Sequence, residues 1–461
     1  MNKYLSELLD YAVEKKLIEA DDVIYCANRV MYLIGGEIFE KCEYTPHENL
    51  EQILEGLLDF AAKSGKFEAD TLTYRDLLSA EIMDVFTPRP SYVRAKFNEL
   101  YAESPKKATD YFYEMSKNNN YIMTNRVKKN IIWKKPTENY DDIDITINLS
   151  KPEKDPKDIE LAKLAKATAE YPKCLLCKEN EGFAGHMNHP GRANHRIMPI
   201  TLAGEKWNWQ YSPYVYYNEH CIVFKDEHEP MLISQKTFDR LLDFVDIFPH
   251  YFLGSNAGLP IVGGSILTHD HYQGGNYEFP MAKCPITVPV TFKGYEDISA
   301  GIVSWPLSTI RIAGDSKQRV SDLATKILEC WREHTDEENE ILAYTDQPHN
   351  AITPIARRKG EKFEMDLILR NNRTSDEHPL GIFHAHSEYH HIKKENIGLI
   401  EAMGLAVLPA RLATELGELT DEVKSDIGEV FTKILENCGV YKNTEIGKKG
   451  FIKFIDAVNS K

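Results

Sequence analysis

Hydrophobic residues along the first 130 positions recur at helical spacing. Leu5, Leu8, Leu9, Ala12 and Val13 form one stripe, and Leu50, Ile53, Leu54, Leu57 and Leu58 form another, as one face of an α-helix requires. Lys134-Lys135-Pro136 and Lys151-Pro152-Glu153-Lys154-Asp155-Pro156 interrupt this texture and predict a linker or exposed crossing over 135–160. From about residue 170 the apolar runs shorten. Residues 214–217, 221–224, 261–262 and 265–267 read as strands. Residues 237–252 read as a helix with Phe238, Leu241, Leu242, Phe244, Val245 and Phe248 on its apolar side, interrupted by Pro249. Residues 363–369 alternate like a strand, and 397–416 read as a helix again. Short strands and helices without a regular βαβ alternation predict an α+β fold built on antiparallel sheet.

The length of 461 residues suggests two to four domains or one duplicated fold. Fifty-five basic side chains against 71 acidic ones give a net charge of −16, which excludes general binding to nucleic acid or anionic membrane. The charge is uneven: 1–100 and 201–350 are strongly acidic, whereas 151–200 and 351–400 are slightly positive and are where an anion would be held. No apolar run approaches the ~18 residues needed to span a bilayer. The N-terminal stretch turns acidic at once, without a secretory apolar core, so a cytoplasmic protein is expected. Eight widely spread cysteines do not suggest a disulfide framework.

Fifteen of the 16 histidines fall between His186 and His391. Two His-x-His pairs stand out, His269-Asp270-His271 and His384-Ala385-His386, and hint at two related halves. Around the first pair runs the sharpest segment of the chain, from Asn256 through Gly263-Gly264-Ser265 to His271-Tyr272-Gln273-Gly274-Gly275. On a strand, His269, His271 and Gln273 share one face. The glycine pairs let a ligand approach the backbone, and Asn256, Ser265 and Gln273 supply neutral donors suited to phosphate oxygens. A histidine in this setting can be a general base, a metal ligand or a nucleophile; two buried structural histidines are the bland alternative. Cys174 and Cys177 have the spacing of half a zinc site, with redox chemistry or two unrelated thiols as alternatives. His228, His269 and His271 are the histidines best placed to complete such a site.

These residues carry a resemblance. Cys174-x-x-Cys177, Asn188-His189-Pro190, 212–220, 256–275, Pro348-His349-Asn350 and 390–401 resemble the galactose-1-phosphate uridylyltransferases, in their class II (bacterial) branch, within the histidine-triad superfamily. The resemblance implies duplicated histidine-triad-like antiparallel sheet halves with a helical N-terminal region: 1–150 helical, 151–288 the first half, 289–461 the second. It implies exchange of UMP between UDP-glucose and galactose 1-phosphate, by a ping-pong route through a uridylyl-histidine. UDP-glucose, UDP-galactose and hexose 1-phosphates are then the small-molecule partners, and a homodimer is the family expectation. His271 matches the nucleophile and Gln273 the glutamine that hydrogen-bonds the phosphoryl group, while Ser265 and Asn256 match phosphate-contacting positions. Cys174, Cys177, His228 and His269 match a structural zinc site; no organic cofactor is implied. His349, His384 and His386 match a second metal site, with Glu278 as a conceivable carboxylate. Gly258 and Thr268 depart from the class II signature without touching the His-x-His-x-Gln frame.

The chemistry agrees with this assignment. Imidazole forms a phosphoramidate reactive enough to pass the uridylyl group on. Histidine-triad hydrolases place a third histidine where this chain has Gln273; a sugar phosphate, with a second pKa near ~6, leaves without an acid. Arg192 and Arg196 are candidates for holding the anion, and Gly263 and Gly264 for close approach. Arg357-Arg358-Lys359 reads instead as an exposed, solvated turn, and Lys393-Lys394 as either a sugar-phosphate contact or a helix start. A nucleotidyl phosphorylase acting on another nucleoside diphosphate sugar or a dinucleoside polyphosphate is the enzymatic alternative. A zinc-stabilised nucleotide-binding protein without catalysis is the other.

Overall fold

The structure is a computed structural model that describes residues 1–150, 171–264 and 266–461. The chain forms two compact units. One comprises Met1–Lys129, Ser150–Pro199 and Asn208–Val215; the other comprises Asn130–Leu149, Ile200–Trp207 and Tyr216–Lys461.

The first unit is helical, as the spacing predicts. Its helices are α1 (Asn2–Glu14), α2 (Val23–Ile34), α3 (Leu50–Lys63), α4 (Leu72–Asp84), α5 (Pro90–Glu103), α6 (Pro105–Asn118) and the short α7 (Thr124–Val127). Leu5, Leu8, Leu9 and Ala12 of α1 are buried and α1 packs on α3, whose Ile53, Leu54, Leu57, Leu58 and Ala61 are buried in turn. Asn49 caps α3, its Oδ1 accepting from the Gln52 N–H at 3.1 Å. Pro90 and Pro105 open α5 and α6, where a missing N–H costs nothing. Phe97, Phe112 and Trp209 meet edge to face with centroids 5.2–6.3 Å apart.

The second unit is built on a sheet of ten strands: β3 (Met198–Leu202), β4 (Glu205–Tyr211), β5 (Cys221–Lys225), β6 (Phe252–Gly254), β7 (His271–Gly275), β8 (Ile286–Val290), β9 (Ser299–Val303), β10 (Thr309–Gly314), β11 (Asn350–Lys359) and β12 (Lys362–Asn371). β3 and β4 enter this unit through residues 200–207. The order across the sheet is β3-β4-β5-β7-β6-β11-β12-β10-β9-β8. Outward from the middle, it reads β6-β7-β5-β4-β3 on one side and β11-β12-β10-β9-β8 on the other. Helix α8 (Gln235–Ile247) falls between β5 and β6, as α10 (Lys317–Glu333) does between β10 and β11, while the short α9 (Pro280–Lys283) links β7 to β8. Each half is therefore three strands, a helix and two strands, in the same neighbour order, and the duplicated antiparallel α+β architecture expected from sequence is present. The halves join where β6 pairs antiparallel with β11: Gly254 opposite Ile355, Leu253 opposite Ala356, Phe252 opposite Arg357.

A three-stranded sheet accompanies it. β1 (Ile131–Lys135) runs antiparallel to β2 (Ile143–Ile147), and β13 (Leu405–Leu408) runs parallel to β2. The predicted linker over 135–160 therefore holds a strand whose Ile143, Ile145 and Ile147 are wholly buried; charged flanks concealed it. Its residues 151–160 lie outside the described residues. The predicted helix over 397–416 is instead α11 (Leu399–Ala402), β13 and α12 (Leu412–Glu415), because Leu405–Leu408 pair with β2. Two predicted strands are turns: Val215 and Ile261 sit at φ +40° and +72°, a region that β-branched residues enter only when the surrounding fold imposes it.

Arg357 is not a solvated turn residue. It belongs to a buried ionic network in which Asp366 Oδ1 accepts from Arg311 Nε at 2.7 Å and Asp366 Oδ2 accepts from Arg357 Nη2 at 2.8 Å. Glu364 completes it, 2.7 Å from Arg357 Nη2. Arg311 also donates to the carbonyls of Met281 and Cys284 at 2.9 and 2.8 Å. Strand alternation puts Arg311, Arg357, Glu364 and Asp366 on one face, which is why they meet. Asp366 is wholly buried and serves two guanidinium groups. Asp366→Asn should therefore destabilise the protein by about 3–5 kcal/mol, read as a lowered denaturant midpoint, since two buried cations lose their shared charge.

Candidate active site

β7 begins at His271, and the two residues before it are clamped. Asp270 accepts from Arg240 Nη1 of α8 at 3.2 Å, and its N–H donates to the Glu229 carbonyl at 2.6 Å. Arg240 also donates to Tyr272 Oη at 3.1 Å and Glu205 Oε2 at 2.6 Å, with its guanidinium 4.9 Å over the Trp207 ring. The residue between the two histidines thus fixes the backbone of both.

His271 is buried. Its Nδ1 lies 2.8 Å from the His269 carbonyl, which can only accept, so Nδ1 carries the proton and Nε2 carries the lone pair. Burial pulls the imidazole down to about 4, keeping it neutral near pH 7. His269 does not share the strand face, as the alternation had implied; it precedes the strand and supplies this carbonyl.

Gln273, two residues along the same face, meets a histidine not singled out from sequence. His220 Nε2 donates to Gln273 Oε1 at 3.2 Å, which leaves the amide NH2 as the end available to a phosphoryl oxygen. His220 lies against Tyr216 and Tyr217, with centroids 5.3 and 4.6 Å away, and burial lowers its pKa to about 4. Its sequence signals were its place at the end of the 212–220 segment and just before β5, which pairs with β7.

Asn256 faces inward. Its Oδ1 accepts from the Leu399 N–H at 2.9 Å and so caps α11 from the β6–β7 connection. A Cβ on Gly264 would stand 2.7 Å from Asn256 Nδ2, and one on Gly263 would stand 2.5 Å from the Leu259 carbonyl, so this loop's own packing already requires both glycines. Ser265 lies outside the described residues.

In the first unit, Arg192 is half-buried beside a cavity of about 510 Å3 that Tyr121, Asn188 and His189 also line, with its guanidinium 5.6 Å over the Tyr121 ring. Arg196 is differently placed. Its guanidinium donates to the carbonyls of Pro88, Thr87, Ala193 and His195 and to Asp84 Oδ1, at 2.7–3.2 Å, which leaves it holding the loop rather than reaching for a ligand.

Cys174 and Cys177 have their Sγ atoms 3.5 Å apart, and the rings of His228 and His269 lie 4.7 Å apart. The ligand atoms of all four lie within 4.8 Å of one another and could hold a metal ion. Two thiolates on one tetrahedral zinc stand roughly 3.8 Å apart at Zn–S distances of about 2.3 Å, close to the separation seen. Burial pushes the Cys177 thiol up, so a thiolate there needs a cation beside it. His269 Nε2 donates to the Lys225 carbonyl at 2.9 Å, the kind of hydrogen bond that fixes a ligating ring.

The second histidine pair does not repeat the first. By strand order β12 is the counterpart of β7, yet His384 and His386 lie beyond its end, in the connection before α11. His349 is held by Asn372 Oδ1 at 2.9 Å and Thr345 Oγ1 at 2.7 Å, which occupy both ring nitrogens. Glu278 is exposed and pairs with Lys359 at 3.4 Å. Among the described residues these groups do not assemble into a second metal cluster. Lys393 is buried against Glu401 at 3.1 Å, while Lys394 is exposed. No helix among the described residues is long and apolar enough to cross a membrane.

Two family models match the chain. The model described as galactose-1-phosphate uridyl transferase, N-terminal domain, matches residues 16–230, and the one for the C-terminal domain matches 244–436. A galactose-1-phosphate uridylyltransferase of Clostridium acetobutylicum is 49% identical over 99% of this chain and 99% of its own length. That of Bacillus subtilis is 48% identical over 100% and 98%, and that of Fusobacterium nucleatum 47% over 99% and 99%. Among solved structures, yeast Ap4A phosphorylase Apa2 in complex with Ap4A gives a TM-score of 0.39 at 12% identity, covering 73% of this chain and 97% of that one.

Buried neutral histidines make stability pH-dependent. Burial lowers His195, whose Nε2 donates to Gln210 Oε1 at 2.9 Å, to about 3, and His220 to about 4. Unfolded, both titrate near ~6.5, so between there and pH 4 the unfolded chain binds more protons than the folded one. Stability is therefore fully present above pH 7 and should fall on acidification through that window, by about 1.4 kcal/mol per pH unit for each histidine. Chemical denaturation across pH 4–7 measures this, and His195→Gln should flatten the slope by one proton's worth.

Proposed function

The chain belongs to the galactose-1-phosphate uridyl transferase family, and from that premise we propose that His271 carries the UMP group during exchange. The enzyme is a nucleotidyltransferase that exchanges UMP between UDP-glucose and galactose 1-phosphate. The observation that supports His271 is its hydrogen bond to the His269 carbonyl, which leaves an unprotonated Nε2 on a buried, neutral ring. Nε2 attacks the α-phosphorus of UDP-glucose; the P–N bond forms, the P–O bond breaks, and glucose 1-phosphate leaves with the electron pair. Galactose 1-phosphate then attacks the same phosphorus through a phosphate oxygen, and the P–N electron pair returns to Nε2. Neither step requires an acid, because both leaving groups are weakly basic.

Gln273 donates its amide N–H to a non-bridging oxygen of the transferring group, in an orientation supported by His220. Neither arginine is assigned to this phosphate: Arg196 has its donors engaged within the loop, and Arg192 lines the first unit's own cavity. Asn256 acts by holding the N-terminus of α11.

UDP-glucose labelled in the uridine should leave a covalent adduct on the protein and support exchange into labelled glucose 1-phosphate. His271→Asn should lose both, by about 10^3-fold or more, with its melting temperature little changed. An adduct on that variant would place the nucleophile elsewhere.

We also assign the Cys174, Cys177, His228 and His269 group to zinc, on the strength of its two-thiolate, two-imidazole donor set. Its role is to brace the chain beside His269. Protein purified without chelator should contain one zinc per chain, and Cys174→Ser should lose it along with several degrees of melting temperature; metal-free wild-type protein would remove the assignment.

A further inference from the structure

Among the buried arginines of the second unit, Arg311 and Arg357 meet carboxylates in the sheet and Arg240 meets Glu205 and Asp270. Arg370, near the end of β12, is different. It is 1% exposed, and among the described residues its guanidinium makes one hydrogen bond, from Nη2 to the Ile397 carbonyl at 2.7 Å, while Nε and Nη1 have no partner. The carboxylate whose charge reaches it, Glu401, is neutralised by Lys393 at 3.1 Å.

Two further orphaned groups lie beside it. Thr353 is wholly buried and its Oγ1 has no partner. The register sets Ala351 opposite Arg370 and Ile368 opposite Thr353, so Thr353 and Arg370 are diagonal neighbours on one face. His384 is 1% exposed, and neither of its ring nitrogens makes a hydrogen bond of acceptable geometry. It is close enough for the charge of Arg370 to act on it, and together with burial that charge pulls its imidazole down to about 4.

A guanidinium and a hydroxyl stand diagonally on one face here, with an imidazole within reach of the guanidinium's charge, all able to donate, beside an apolar core that includes Ile368, Ile397 and Cys438. Unsatisfied buried donors each cost about 1–3 kcal/mol, more for a charged group, and water would satisfy them without balancing the charge. We propose that Arg370, Thr353 and His384 bind a small monovalent inorganic anion of halide size inside the second unit. His384 joins as the Nδ1–H or Nε2–H tautomer, so its low pKa does not oppose binding. The site differs from the candidate active site in residues, but it grips the same turn: Arg370 holds Ile397 and Asn256 holds Leu399. Occupancy would therefore stiffen the turn that opens α11.

The test is thermal unfolding of the full chain at fixed ionic strength, with sodium gluconate replaced stepwise by sodium chloride or bromide. Both halides should raise the melting temperature along a saturating curve, by about 1–3 °C. Thr353→Val should shift half-saturation by about tenfold, and Arg370→Met should abolish the response. Should Arg370→Met fail to fold, anomalous scattering from bromide in wild-type crystals decides the matter, with a peak at Arg370 expected. Equal melting in gluconate and halide, a halide response retained by folded Arg370→Met, or no bromide peak would each overturn the proposal in favour of water.

Discussion

Everything in the second unit follows from the antiparallel seam between β6 and β11. Only three residue pairs form it, yet it fixes the register of all the strands beyond. Gly254 stands opposite both Ile355 and Gln273, and Ile355 stands opposite Asp366, so Gln273 and Asp366 point from one face of a single sheet. A slip of one residue at the seam would move one half's buried set to the opposite face relative to the other half's. The seam is also where the duplication is visible, because the same neighbour order runs outward on both sides.

The two halves have diverged in a way that explains why only one holds the candidate nucleophile. Between β6 and β7 the chain makes a connection from residue 255 to 270, which carries Asn256, Gly263, Gly264 and His269. At the equivalent place between β11 and β12 it makes a two-residue turn, Gly360-Glu361, with Gly360 at φ +60° as a tight turn demands. A site needs the long connection, because a carbonyl must reach His271 Nδ1 from outside the strand. The hairpin cannot supply one, and β12 instead carries Glu364 and Asp366 into a closed ionic network. One scaffold thus supports ligand chemistry on one side and internal rigidity on the other.

This explains what was legible in the sequence and what was not. Helical stripes such as Leu5-Leu8-Leu9-Ala12 were legible because a one-sided helix writes its period directly into the chain. Cys174-x-x-Cys177 and His269-x-His271 were legible because the chemistry constrains local spacing. Arg357 was misread as solvated because its partners Glu364 and Asp366, seven and nine residues along on β12, face it only once the sheet has formed. His384-Ala385-His386 misled for the converse reason: the pair imitates a strand motif, whereas strand order assigns the equivalent position to β12. His220 was invisible as a contributor, since its bearing on Gln273 depends on the pairing of β5 with β7.

The acidic balance of the chain also takes on a physical meaning. Near His271 the groups that can face a phosphate are neutral, the imidazole itself and the amide of Gln273, while Arg240, Arg311 and Arg357 are held in internal pairs with Glu205, Asp270, Glu364 and Asp366. A buried nucleophile has reason to avoid a bare cation beside it: a further positive charge would only lower the imidazole's pKa below the value that burial already sets, and would weaken its lone pair as a nucleophile. In the proposed reaction, neutral donors held before the phosphate arrives would stabilise the charge that develops on its oxygens without drawing electron density from Nε2. Burial is then the common cause of both properties, keeping the ring unprotonated and strengthening the few hydrogen bonds that remain. Much of the net charge of −16 lies in 1–100 and in the parts of 201–350 outside 251–300, a segment that itself holds only six charged residues.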